Sequence, residues 1–75
     1  MGTFRWTPER MEQLEAAVRN RRRVVLRRRG NEHVVIPTAL LQSRGRDAFT
    51  GLISMTGEEM VFVLDELDHF QMLDS

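Results

Sequence analysis

Hydrophobic residues near the N-terminus repeat at a spacing that predicts a helix over residues 8–20. The apolar positions are Met11, Leu14, Ala17 and Val18. They fall on one face of an α-helix, with charged residues on the other. The preceding Thr7-Pro8-Glu9 offers a capping hydroxyl, a proline suited to the first helical position and an acid for the positive end of the dipole. We also expect Trp6 to fold over Met11 as a hydrophobic staple.

After Asn20 the pattern changes to short apolar and β-branched runs, which predict five strands. The predicted strands cover about residues 22–29, 33–36, 48–55, 60–64 and 69–73. The predicted turns between them are Gly30-Asn31, Arg44-Gly45-Arg46, Thr56-Gly57-Glu58 and Asp65 to Asp68. Pro37 is expected to end the second strand, because proline cannot donate to a ladder.

Two further positions shape the predicted sheet. Residues 38–43 are expected to form a short turn or 3₁₀ element whose Leu40 and Leu41 fill one end of a barrel. Gly51, in the middle of a strand, predicts a bulge or sharp bend. The sequence thus predicts one domain over residues 1–75, mainly β with one N-terminal helix, as a small five-stranded antiparallel SH3-like or Sm-like barrel.

Composition removes several classes of protein. The chain has no cysteine, which excludes disulfides and thiolate metal sites. No apolar run is long enough for a membrane span, and the N-terminus lacks the apolar core of a signal peptide. We therefore expect a cytoplasmic protein with no membrane partner.

The net charge of zero hides a division along the chain. Residues 1–50 hold all eleven arginines against five acids, whereas residues 51–75 hold six acids and no base. The first part is basic and the tail acidic, a pattern that suits an anionic partner or neutralises itself within or between chains.

The basic charge is concentrated in one segment. Seven of the eleven arginines fall between positions 19 and 29. Strand alternation is expected to put Arg21, Arg23, Arg27 and Arg29 on one face, with Arg22 and Arg28 on the other. Guanidinium groups bind phosphate bidentately and stack on bases. The predicted nucleic-acid-binding residues are Arg21, Arg23, Arg27, Arg28, Arg29, Arg44 and Arg46.

Other candidate chemistry is weak, and we expect neither an enzyme nor a cofactor. His33 beside Glu32, and His69 near Asp65 and Asp68, match no metal-ligand spacing. The adjacent Glu58 and Glu59 sit at a predicted turn, where acids are common. The serines lack a nucleophile elbow.

The aromatic residues are expected to serve the core. Trp6, Phe4, Phe62 and Phe70 are isolated along the chain, which favours packing over base stacking. Phe62 should face inward with its alternate neighbours Met60 and Leu64.

The order of these features resembles the WYL domain of bacterial transcription regulators. The resemblance runs over about residues 14–73, through LEAAVRNRRRVVLRRRGNEHVVIPTALLQSRGRDAFTGLI, MVFVLDEL and FQML. The matching positions are Ala17-Val18, Arg27-Arg28-Arg29-Gly30, Val35-Ile36-Pro37, Leu40 and residues 62–67. The resemblance implies an Sm-like or SH3-like barrel that senses a nucleic-acid or nucleotide ligand to regulate transcription. Asp47-Ala48-Phe49 replaces the Trp-Tyr-Leu tripeptide, and Arg28 and Val63 replace two further signature residues, so the chain looks like a degenerate, stand-alone version.

Two non-enzymatic functions follow. In the first, the arginines bind a single-stranded nucleic acid or a nucleotide, with an affinity that falls steeply with salt. In the second, the arginine strand of one copy meets the acidic tail of another copy, or of a different protein, and there is no affinity for nucleic acid.

Overall fold

The fold is mainly β, with one helix and a five-stranded antiparallel sheet, as predicted. A computed structural model describes residues 4–73, so the first three and last two residues of the predicted domain, with the acid Asp74, lie outside the described residues. The elements are α1 (Pro8–Asn20), β1 (Val24–Arg28), β2 (Asn31–Ser43), β3 (Arg46–Ile53), β4 (Glu59–Val63), a 3₁₀ turn (Leu64–Glu66) and β5 (Leu67–Met72). Within this range no helix has the length and apolar character needed to cross a membrane.

The helix forms where the sequence predicts it, and for the predicted reasons. The Thr7 hydroxyl accepts a hydrogen bond of 3.1 Å from the backbone N–H of Arg10, and Pro8 opens the first turn. At the other end, Arg21 takes a left-handed conformation (φ 53°) and its N–H donates to the carbonyl of Ala17. A local hydrogen bond therefore caps each end of the helix.

The strands are ordered β4-β3-β2-β1-β5 in the sheet, and tight turns connect β1 to β2 and β2 to β3. Arg29-Gly30 joins β1 to β2 and Arg44-Gly45 joins β2 to β3, with positive φ at all four residues. Two-residue turns of this handedness match the twist of antiparallel strands. These two predicted turns are thus confirmed within one residue, since Asn31 and Arg46 already belong to strands.

The second strand departs from the prediction, because it does not end at Pro37. It continues to Ser43, so residues 38–43 form neither a turn nor a 3₁₀ element, and Leu40 is 43% exposed instead of filling a barrel end. The register against β3 shifts between Pro37 and Ala39. This bulge lets the ladder pass a residue that has no N–H to donate, and the Thr38 hydroxyl bonds Thr50 across it.

The bulge expected at Gly51 lies in the partner strand. Gly51 pairs with Pro37, next to the register shift in β2. A Cβ on Gly51 would come within 3.4 Å of the carbonyl oxygen of Ile36, so the two backbones approach closely here. The remaining boundaries move by one or two residues: β5 begins at Leu67, because the predicted turn over Asp65 to Asp68 is shorter and starts earlier, at Leu64.

The sheet curves around a single core. One face of each strand contributes buried residues to the same cluster, which also holds Leu14 and Ala17 of α1. The Arg28 guanidinium of β1 lies 5.3 Å from the ring centroid of Phe62 in β4. These two strands are three places apart in the sheet, so their side chains converge over this face. We call the face that lines the core and packs on α1 the concave face. No ladder joins β4 to β5 in residues 4–73, so the sheet is open.

The aromatic residues pack as the sequence predicts. Phe49 and Phe62 are fully buried with ring centroids 5.4 Å apart, and Phe70 is 5% exposed. Phe62 faces inward with Leu64, while Met60 packs at the edge of the core. Trp6 packs on Phe70, with ring centroids 4.9 Å apart, and its Nε1–H donates to the carbonyl of Leu64 at 2.9 Å. The segment before the helix is thereby fixed to the 3₁₀ turn and to β5.

Candidate nucleic-acid interface

The structure divides the predicted arginine stripe into parts with different surroundings. Only Arg27 and Arg28 lie within β1; Arg21 caps the helix, Arg23 precedes the strand and Arg29 occupies a turn. The prediction of a single strand face therefore holds only near Arg27. The strand begins two residues later than predicted, because the end of the helix occupies the backbone up to Arg21.

Two of the predicted residues form ion pairs with the acidic tail. Nε of Arg27 lies 3.1 Å from Oδ1 of Asp68, and Nε of Arg46 lies 3.6 Å from Oδ2 of Asp65. All four side chains are about half exposed or more, so each pair adds little stability. The pairs nevertheless place carboxylates against these guanidinium groups, and a phosphate would have to displace them.

Three other predicted residues do not extend a common surface. Arg28 points to the concave side, where its guanidinium stacks on Phe62. Arg29 and Arg44 occupy turns at opposite ends of the 13-residue β2. Asp65 and Asp68 stand beside Arg46 and Arg27, so acidic groups interrupt the surface between those two arginines.

The strongest concentration of free positive charge lies where the helix meets β1. Arg21, Arg22 and Arg23 are all exposed and, with Asn20 and Leu73, line a depression of about 360 Å³. We call these three arginines the basic corner. None of them takes part in an ion pair among the described residues.

The backbone of the basic corner is held in place. The N–H of Arg22 donates to the carbonyl of Ala17 at 3.0 Å, and the carbonyl of Arg23 accepts from the N–H of Leu73 at 3.0 Å. The first bond closes the helix and the second ties the corner to the end of the chain. Cations at this end of a helix are also favoured by its dipole.

Arg22 belongs to this site although it is not among the residues predicted from the sequence to bind nucleic acid. Alternation assigned it to the face of Val24 and Leu26, but alternation applies only to extended backbone, and the backbone of Arg22 is still bonded to the helix at Ala17. The signal that identifies it is simpler: three consecutive arginines follow the last helical residue, Asn20.

No aromatic side chain lines the basic corner in the part of the chain that the structure describes. Phe49, Phe62 and Phe70 are buried, while Phe4 and Trp6 are half-buried near the start of the helix. A ligand at the corner would therefore meet charge and hydrogen-bond donors, but no surface on which a base could stack.

Residues 4–73 bring no group of three or more His, Asp or Glu side chains together in a way that could hold a metal ion. Neither His33 nor His69 gains further ligands from the fold. The His33 ring instead packs beside Phe62, with centroids 5.9 Å apart. In comparisons with known proteins, no family model matches this chain and no curated protein is significantly similar to it.

Proposed function

We propose that this chain is a small cytoplasmic binding module whose basic corner holds the phosphates of a single-stranded nucleic acid or a nucleotide. The observation that carries the proposal is the presence of three exposed guanidinium groups around one depression, outside the two ion pairs that residues 4–73 form with the acidic tail. The curved sheet behind them is compatible with an SH3-like or Sm-like barrel, and a regulatory role is what the WYL resemblance implies.

Arginine suits this task better than a general positive charge would. Its planar guanidinium presents paired donors that match two oxygens of one phosphate. With three consecutive arginines on a fixed backbone, we expect up to three phosphates to be contacted. The mode of recognition is electrostatic, and the lack of an aromatic surface at the corner predicts little preference among bases.

The proposal predicts how steeply the affinity for nucleic acid falls with salt concentration. For single strands, log K falls by about 0.7 per neutralised phosphate for each unit of log salt. Three phosphates therefore give a slope of about −2, so a rise from roughly 50 to 150 mM salt should weaken binding about tenfold. The affinity itself should be modest, because the surface is small and the chain as a whole is neutral.

Fluorescence anisotropy of a labelled single-stranded oligonucleotide, titrated with the protein at several salt concentrations, tests the proposal. The test variant is Arg22→Ala/Arg23→Ala, and we expect it to lose most of its affinity. The matched control is Arg27→Ala/Arg46→Ala, which also removes two arginines, both of them paired, and should weaken binding much less.

Two results would contradict the proposal. One is the absence of binding at low salt by the unaltered protein. The other is an equal loss in the two variants, since this would mean that overall positive charge, and not the basic corner, determines the affinity.

A further inference from the structure

The outer face of the sheet, which we call the convex face, carries an apolar centre. Val25 pairs with Val34, and Ile36 pairs with Leu52, so these four side chains form two neighbouring cross-strand pairs on the side away from α1. All four are half-buried, and Val61 on the same face is 47% exposed. This face is the outer surface of a sheet whose other side is filled by the core.

The apolar centre lies between charges of opposite sign. The Arg23 carbonyl accepts from the N–H of Leu73, which continues the pairing of β1 with β5 by one residue before Val24. Since Val24 pairs with Val35, Arg23 stands opposite Ile36, and Leu52 in turn pairs with Glu59. A row therefore runs across the sheet in the order Arg23, Ile36, Leu52, Glu59. Its ends are three strand spacings apart, at least about 14 Å on the outer side of the curved sheet.

Both ends of the row are available to a partner. Arg23 and Glu59 are exposed, and neither forms an ion pair within residues 4–73. The order of the row is thus basic, apolar, apolar, acidic. A two-fold axis that lies in the interface and crosses the midpoint of the row reverses this order in a second copy, so that the basic end of each copy faces the acidic end of the other.

We propose that the convex face binds a second copy of this chain in a two-fold dimer. The rotation places Ile36 and Leu52 of one copy against the same pair of the other, and sets Arg23 of each copy opposite Glu59 of its partner. The partner contributes both complementary charges, so the contact forms two cross-subunit ion pairs around an apolar centre. A neutral chain also carries no net repulsion against its own copy.

Sedimentation equilibrium over a wide concentration range, without any nucleic acid, tests this dimer. The unaltered protein should shift from monomer to dimer with concentration. Arg23→Glu and Glu59→Arg should each weaken the dimer at least tenfold, because the two-fold axis turns one reversal into two like-charge contacts. The double variant Arg23→Glu/Glu59→Arg should return the dissociation constant to within about threefold of the original.

Two control variants make the same charge changes away from the convex face. Arg44→Glu lies in the turn between β2 and β3, and Glu12→Arg lies on the exposed side of α1, so both should leave the dimer intact. All the altered residues are exposed, and circular dichroism confirms that each variant is folded. A monomer at every concentration, or a double variant no better than the single ones, would overturn the proposal. Because no oligonucleotide is present, this result is independent of the proposed nucleic-acid binding.

Discussion

Trp6→Phe should destabilise the fold, although Trp6 is only half-buried and precedes the first element. The indole Nε1–H donates to the Leu64 carbonyl, which also accepts from the backbone N–H of Leu67. Phenylalanine keeps an aromatic ring against Phe70 and removes the bond from the indole, while the Leu67 N–H still satisfies the carbonyl. The loss of one hydrogen bond costs about 0.5–1.5 kcal/mol, and the smaller ring removes some packing as well.

The loss is large relative to the whole stability. A 75-residue domain has a free energy of unfolding of roughly 4–11 kcal/mol. A loss of about 1.5 kcal/mol, divided by a urea m-value of about 1 kcal/mol/M, lowers the denaturation midpoint by about 1.5 M. Trp6→Ala, which removes the ring too, should lower the free energy of unfolding further still. A protein at the low end of the range above would then be partly unfolded at room temperature.

Urea denaturation followed by far-UV circular dichroism measures this shift without using the tryptophan as the probe. Phe4→Leu is the control, because it removes the edge contact of 5.6 Å with Trp6 but no hydrogen bond, and its midpoint should fall by less than half as much. If Trp6→Phe keeps its midpoint within about 0.3 M, the bond to Leu64 does not hold the segment before the helix, and the reasoning fails.

Two further predictions concern single interactions. Thr7→Ala should remove the cap of α1 and lower the free energy of unfolding by about 1 kcal/mol, which is a fall of about 4–8 °C in Tm by thermal denaturation. Thr7→Asn should retain most of the stability, because asparagine also caps helices, and equal losses in the two variants would argue against the cap. A double-mutant cycle on Arg27→Ala and Asp68→Ala should give a coupling energy below about 1 kcal/mol that disappears in 1 M salt, and a coupling that survives the salt would show that the pair is more than a surface contact.

The helix and the turns could be predicted because their causes are local. Thr7 and Pro8 lie within one turn of the helix they start, and Gly30 and Gly45 supply a conformation that the chain needs at those positions. The continuation of β2 past Pro37 could not be predicted in this way. It depends on a bulge against β3, whose residues lie more than ten positions away, and locally Pro37 signals only the end of a strand.

The candidate site was harder to predict for the same reason. The prediction of a guanidinium stripe rested on a strand beginning at residue 22, but the end of the helix occupies the backbone to Arg21 in a left-handed conformation that arginine does not favour. The pairing of Arg27 with Asp68 spans 41 positions. Alternation can assign a face to Arg27, but it cannot show which acids the fold brings to it.

Arg23 links the two proposed surfaces of this chain. It belongs to the basic corner and also ends the charged row of the convex face, so a phosphate at Arg23 and a partner's Glu59 would occupy the same guanidinium. By linkage, each ligand then weakens the other by the same factor. The two surfaces remain separable, because Arg21 and Arg22 carry charge only for the anion, whereas Leu52 and Glu59 contribute only to the dimer. A chain of zero net charge, whose bases lie in residues 1–50 and whose tail is acidic, can thus present one surface to a second copy and another to an anion, with a single arginine shared between the two surfaces.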